Sequence, residues 1–266
     1  MLLFMLEILF QDESLVAINK PSGLLVHRSP IDQYETRFAM QMTRGQIGQH
    51  VFPVHRLDKP TSGVLLFALS SEVASLLTKQ FTATTVNKTY WAVVRGYTND
   101  NGVVDSDLQE EWDKMTDNLV DKDKPAQSAI THYDRIATTE LAYPVGRYET
   151  ARYSLVSLQP KTGRKHQLRR HMKRIFHPIV GDTSHGDGKQ NSFLREQFGL
   201  KRLMLHAKSM GFRHPVTDEE ILIEAGVPKD FSLMLERLEL LQDYRVNSDT
   251  TDPYSNSTTV TRPVSE

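Results

Sequence analysis

The chain has 266 residues, with 32 Lys plus Arg against 33 Asp plus Glu, a formal net charge of -1, and no cysteine. That length can bury a substantial core, so one large domain is expected, and the missing thiols exclude disulfides and Cys-ligated metals. The apolar start at residues 1–6 is too short to span a membrane and lacks the basic region of a secretory signal, which suits a cytoplasmic protein with no membrane partner.

Residues 6–10 and 15–19 are strand-like runs joined through Gln11, Asp12 and Glu13, the pattern of a hairpin. Next comes His55-Arg56-Leu57-Asp58-Lys59-Pro60-Thr61-Ser62-Gly63, directly before the apolar run 64–69. It sets one carboxylate in a turn that a following strand would hold rigidly. A lone Asp beside a basic residue suits nucleophilic rather than paired acid/base chemistry, although the same spacing is compatible with an ordinary tight turn. Val73, Leu77 and Phe81 recur every four residues and predict a helix over 71–81, capped by Ser70 or Ser71. Residues 90–95 read as a strand, 98–128 as a polar loop, and 153–158 as another strand. Leu168, Met172, Ile175 and Phe176 predict one face of a helix over 166–176, which Pro178 stops. A short strand at 204–206 follows, then a hairpin around the turn 214–218, then a helix over 229–241 with the stripe Phe231, Met234, Leu235, Leu238 and Leu241. Residues 247–266 are Ser, Thr, Asp and Pro with few large apolar side chains, so a disordered tail is expected there and residues 1–246 form the single domain. Strands and helices mix without a strict βαβ rhythm, which makes the class α+β.

Charge is unevenly spread. Residues 161–174 carry Lys161, Arg164, Lys165, Arg169, Arg170, Lys173 and Arg174 with no acid, whereas residues 98–124 carry nine acids against three lysines. A basic face for phosphates is therefore compatible with a total charge near zero. The scattered histidines lack any H-E-x-x-H pattern or carboxylate cluster, so no metal is expected. Nor is there a phosphate-binding G-x-x-x-x-G-K-[ST] loop, and Asp58 lacks the D-x-D-x-T context of an Asp-phosphate phosphatase.

The H-R-L-D-K-P-T-S-G segment resembles the catalytic motif of the RluA-type pseudouridine synthases. Asn19-Lys20-Pro21-Ser22-Gly23, Lys88-Thr89-Tyr90-Trp91-Ala92-Val93-Val94-Arg95-Gly96, the run from Lys161 to His171 and Leu203-Met204-Leu205-His206-Ala207 are similar to further motifs of that family, in the family's order. The resemblance covers about residues 6–225. It implies a mixed, mainly antiparallel central sheet with flanking helices and loops, and leaves no room for an N-terminal RNA-binding domain. It also implies isomerisation of uridine without a cofactor. Asp58 would be the catalytic carboxylate and Tyr90 the residue that stacks on the target base. Arg169 matches the arginine that pairs with the carboxylate, with Arg164 in the same motif as the competitor. Arg56 would occupy the space left by the flipped uridine, with His55 supporting the turn beside it. Arg164, Lys165, Arg170 and Lys173 would meet the RNA, and Leu205 would pack on the base.

The segment from His177 to Asp187, with Gln190 and Asn191, resembles a subgroup that modifies position 65 in the T stem of tRNA. Many ribosomal members read G-D-P-x-Y-G at this place. The expected partner is therefore tRNA, with no obligatory protein partner and a monomeric enzyme. A ribosomal-RNA synthase of the same family and a non-catalytic RNA-binding protein are the alternatives. Binding alone would not require Asp58, Tyr90 and Arg169 together.

Overall fold

The computed structural model of the protein describes residues 5–28, 35–109 and 125–241. Strand β1 (Glu7–Gln11) and β2 (Leu15–Lys20) form the expected hairpin. Asp12 closes its turn by accepting the backbone N–H groups of Ser14 and Leu15, each at 2.7 Å. Helix α1 (Ala39–Ile47) ends at Gly48 in the left-handed region, φ 69°. Strand β3 (Phe52–Pro53) leads to the turn that carries Asp58, and β4 (Ser62–Ala68) follows it. All seven residues of β4 are buried, as a nearly continuous apolar strand between two covered faces should be. Helix α2 (Ser71–Thr82) is capped by Ser70, whose Oγ accepts the Val73 N–H at 3.2 Å.

Strands β5 (Asn87–Arg95), β6 (Asn101–Asp105), β7 (Ile130–Leu141) and β8 (Ala151–Pro160) precede α3 (Gln167–Arg174) and α4 (Gly188–Phe198). Strands β9 (Leu205–Arg213) and β10 (Glu220–Glu224) and helix α5 (Lys229–Arg237) complete the order. Among the described residues the strands join in one sheet, in the order β1-β2-β4-β9-β5-β8-β7-β6, with β3 on β4 and β10 on β9. Every pairing is antiparallel except β4 with β9, which run parallel through Ser62↔His206 and Gly63↔Ala207. The fold is thus α+β with a mixed, mostly antiparallel sheet. Alternation along β5 sends Val93 into a core with Leu194, Phe231 and Leu235 of α4 and α5. Its neighbours Ala92 and Val94 join Leu168 and Met172 of α3 in a separate cluster.

Three expectations change. The polar stretch 98–128 contains β6, which β7 templates as an edge strand, and an isolated bridge joins Leu108 to Gln127; residues 110–124 lie outside the described residues. The helix expected over 166–176 is only α3, because His166 (φ 54°) and Phe176 (φ 66°) both take left-handed backbone at its ends. Phe176 is 86% exposed and leaves the apolar face. The last helix stops at Arg237 instead of 241. The expected tail at 247–266 lies outside the described residues.

Gly63 sits at the parallel seam with φ 111°, and a Cβ there would lie 2.1 Å from the carbonyl oxygen of Ala207. Gly63→Ala is therefore expected to lower unfolding free energy by about 3 kcal/mol, from overlap and backbone strain together. A urea titration checks this, and a loss below about 0.5 kcal/mol would show that the seam is not tightly specified.

Candidate active site

The turn before β4 is braced from three sides. Thr61 N–H closes it onto the Asp58 carbonyl at 3.0 Å. The His55 ring stacks on Phe81, 5.1 Å between centroids, and its Nε2 accepts the Leu66 N–H at 2.9 Å. Burial, with the charge of Lys88, lowers the His55 pKa to about 3, so the ring is neutral and can accept that bond. His55 is thereby committed to holding the turn, and its Nε2 is taken by backbone.

The third brace was not assigned from sequence. Lys20 is fully buried, and its Nζ donates to the carbonyls of Pro21 (3.0 Å), Leu24 (2.7 Å) and Lys59 (3.2 Å). Gly23 N–H also reaches the Lys59 carbonyl at 2.8 Å, and Ser22 Oγ donates to the Pro60 carbonyl at 2.7 Å. The Asn19–Gly23 motif is thus the support of the Asp58 turn. Its resemblance was legible, but which carbonyls it would satisfy depends on the β2–β4 register. Burial first, then the charge of Arg202, bring the Lys20 pKa down to about 7, against an opposing pull from Asp58.

Asp58 is bound through one oxygen. Arg169 Nη1 donates to its Oδ2 at 3.1 Å, and His166 Nε2 lies 3.8 Å from the same atom. The Arg169 guanidinium also forks onto Asp182, Nε to Oδ2 at 2.7 Å and Nη2 to Oδ1 at 2.8 Å. Side-chain exposure falls from 21% at Asp58 to 5% at Arg169 and 0% at Asp182, so the carboxylate meets solvent while its support does not. Burial opposes the Asp182 charge, but the Arg169 fork and the N–H groups of His185 and Ser184 hold its pKa below the ordinary value. Arg169, not Arg164, reaches Asp58: Arg164 is exposed and donates through Nε to the Ser128 carbonyl at 3.1 Å. Asp182, His166 and His185 stood in the quoted motifs without an assigned role.

Tyr90 lies on β5 beside a bulge in the β5–β9 pairing, between Thr89 and Tyr90, and packs against the clusters on both sides of the seam. Burial, then the Asp58 charge, raise its phenol pKa above the ordinary value. It is a neutral phenol at physiological pH, a donor and a flat apolar surface, not a resting base. Leu205 is buried in the cluster that Tyr90 joins. Arg56 is exposed and makes no hydrogen bond or ion pair among the described residues. Lys165 and Lys173 are also exposed, and Arg170 is half-buried and donates to the Gln109 carbonyl at 2.8 Å. Gln167 fixes the start of α3: its amide donates to the Ile130 carbonyl and Thr131 Oγ1, and its Oε1 accepts from Thr162 Oγ1 and the Arg164 N–H.

The arrangement is an accessible carboxylate on a rigid turn, oriented by a buried arginine and flanked by a neutral tyrosine and exposed cations. Residues 14–174, more than half of the chain, match the family described as RNA pseudouridylate synthase. The chain belongs to that family. Pseudouridylate synthases isomerise uridine, and the aligned region includes Asp58, Tyr90 and Arg169. The protein is 54% identical to tRNA pseudouridine synthase C of Vibrio vulnificus, over 88% of this chain and 96% of that one. It is 55% identical to tRNA pseudouridine synthase C of Haemophilus influenzae, over 88% and 98%. Among solved structures, human RNA pseudouridylate synthase domain containing 4 superposes with a TM-score of 0.64 at 30% identity, over 88% of this chain and 93% of that one.

Lys20 generates a prediction with a defined sign. Between pH 7 and 10.5 the unfolded chain keeps the Lys20 proton and the folded chain has lost it, so this group makes stability rise with pH. The unfolding free energy of wild type minus that of Lys20→Met should be flat below pH 7 and climb above it. Parallel curves across that window would place the Lys20 ammonium in a solvated setting.

Proposed function

We propose that the protein is a tRNA pseudouridine synthase that acts on uridine 65 in the T stem, with residues 1–246 as one catalytic unit working in the cytoplasm. Asp58 carries this reading: it is a partly exposed carboxylate held through Oδ2 on a rigid turn, with Oδ1 accepting no hydrogen bond among the described residues. The reaction breaks the bond from uracil N1 to ribose C1′ and forms one from C5 to C1′, while C5 gives up its proton and N1 takes one. Atoms and electrons balance without a redox partner, so the reaction needs no cofactor. Asp58 supplies the ionised group at the sugar–base junction and Arg169 orients it. Tyr90 stacks on the detached uracil above Leu205, and its phenol lies near the site where the C5 proton must leave.

A stacked uridine must first be flipped out of its helix, and the exposed Arg56 guanidinium is placed to fill the gap. Arg164, Lys165, Arg170 and Lys173 meet phosphates, so folded helix shape and backbone charge supply most of the recognition. The tRNA assignment is supported by the synthase C relatives, which match over nearly their whole length. Position 65 is supported by the Gly181–Asp187 segment, where His185 stands in place of the tyrosine common in ribosomal members.

Purified protein should convert uridine 65 of an unmodified tRNA transcript and leave a ribosomal-RNA fragment unconverted. Asp58→Asn should bind the same transcript with similar affinity and show no detectable turnover. Product in the ribosomal fragment alone would move the substrate, and turnover by Asp58→Asn within about tenfold of wild type would remove Asp58 from the chemistry.

A further inference from the structure

The contacts around Asp58 close into a ring. One arm runs from Asp58 Oδ2 to Arg169 at 3.1 Å and on to Asp182. The other runs from Asp58 Oδ2 to His166 Nε2 at 3.8 Å, then from His166 Nδ1 to His185 Nε2 at 3.0 Å. The two arms meet, because the backbone N–H of His185 donates to Asp182 Oδ1 at 2.9 Å. We propose that His166, steered by His185, is a second positioning residue for Asp58, holding Oδ2 from another side and leaving Oδ1 for the substrate. This rests on the reading of Asp58 as the reacting carboxylate.

Proton placement follows from the geometry. The bond between the two rings needs one N–H. If neutral His166 carried it on Nδ1, its bare Nε2 would turn a lone pair toward the Asp58 carboxylate, which is unfavourable. If His185 donates from Nε2, His166 accepts at Nδ1 and keeps its own proton on Nε2, facing Asp58. Protonated His166 has an N–H on both atoms and also faces Asp58 with a donor. The carboxylate therefore selects the states with a proton on His166 Nε2, and the 3.0 Å contact between His166 Nδ1 and His185 Nε2 couples that choice to His185. At 3.8 Å the contact is longer than a hydrogen bond, an ion pair only when His166 is protonated, and of the kind that tightens when substrate fills a site.

The backbone also points to the ring's placement as the purpose. His166 precedes α3 at φ 54° and makes no side-chain cap to that helix. A non-glycine residue there costs about 1–2 kcal/mol, and the conformation sends the imidazole toward Asp58 instead of toward the helix N–H groups. His185 is held by the same loop that fixes Asp182, so a shift of residues 182–185 would move both supports of Asp58 together.

The test uses the full chain, single-turnover pseudouridine formation in a tRNA transcript, and four variants: His166→Phe, His166→Gln, His185→Phe and the double Phe variant. His166→Phe is expected to slow the step by about 10–100-fold while transcript affinity and unfolding midpoint stay near wild type. His166→Gln, whose amide can donate to Asp58, should recover at least about threefold of that loss. His185→Phe should also slow the step, and the double variant should be no slower than His166→Phe, because the two rings act in series. Wild-type rates in His166→Phe, or losses that multiply in the double variant, overturn the proposal. Nitrogen-15 spectra of the imidazoles provide a readout independent of substrate, with the His166 signal identified by its loss in His166→Gln. A protonated Nε2 is expected, and a bare Nε2 overturns the proposal. If wild type forms no pseudouridine in tRNA, the functional reading fails and the spectrum alone decides the role of the ring.

Discussion

One buried cation shared by two carboxylates organises this site. Removing an ion from water costs several kcal/mol even after relaxation, so Arg169 and Asp182 can be buried only if their geometry returns most of that cost. It does so through a two-pronged fork and two backbone N–H groups on Asp182. Because Asp182 already offsets the charge of Arg169, the guanidinium offers Asp58 a directed hydrogen bond more than a full neutralising charge. Asp58 stays oriented without being quenched. A lysine could not substitute, since a point charge has no fork with which to serve both partners.

The fold brings these groups together from distant parts of the chain: Asp58 and Arg169 are 111 positions apart. Asp58 stands just before β4, Tyr90 lies on β5, and β9 separates the two strands, contributing Leu205. The parallel seam between β4 and β9 spans two residue pairs and admits no Cβ at Gly63. Behind it, Ser62 Oγ is 2.8 Å from His206 Nδ1 and accepts from Arg202, which also pairs with Asp230 at 2.9 Å. Burial first, and the charges of Arg202 and Lys208, keep the His206 pKa near 4, so the ring stays neutral beside the arginine. The strand that follows the Asp58 turn is thereby fixed at its first residue. A misplacement of about 1 Å at a reacting group can cost a factor of 100 in rate, so this rigidity would matter for the reaction proposed at Asp58.

Elements with a strong period were legible in the residues. The Val73-Leu77-Phe81 spacing located α2, and the wholly apolar run at 64–69 located β4. Elements without such a signature were not. Helix α1 has an uncapped start at Phe38 and an interior Gly45, and β7 mixes polar and apolar side chains over twelve residues, so neither stood out from a loop. Among candidate site residues, Asp58, Tyr90 and Arg169 were named through their motifs, and the structure brings them to one place. Asp182, His166 and His185 took their meaning only from contacts across the fold, since nothing in the order G-D-T-S-H-G says which arginine the Asp will clamp. Within the seven-cation run, the motif had already set Arg169 apart as the partner of the carboxylate, and its burial agrees with that separation, whereas Lys165 and Lys173 stay exposed.

If Asp58 is the reacting carboxylate, Asp182 bears on turnover by fixing the Arg169 guanidinium that orients it. Asp182→Asn keeps the size and one acceptor while removing the charge and half of the fork. Pseudouridine formation under saturating RNA is expected to fall by at least about thirtyfold while the dissociation constant for the RNA changes less than about threefold, since the Asp182 side chain is fully buried. Turnover equal to wild type in a folded Asp182→Asn protein would show that Arg169 orients Asp58 without the Asp182 charge, and would contradict this reading of the site.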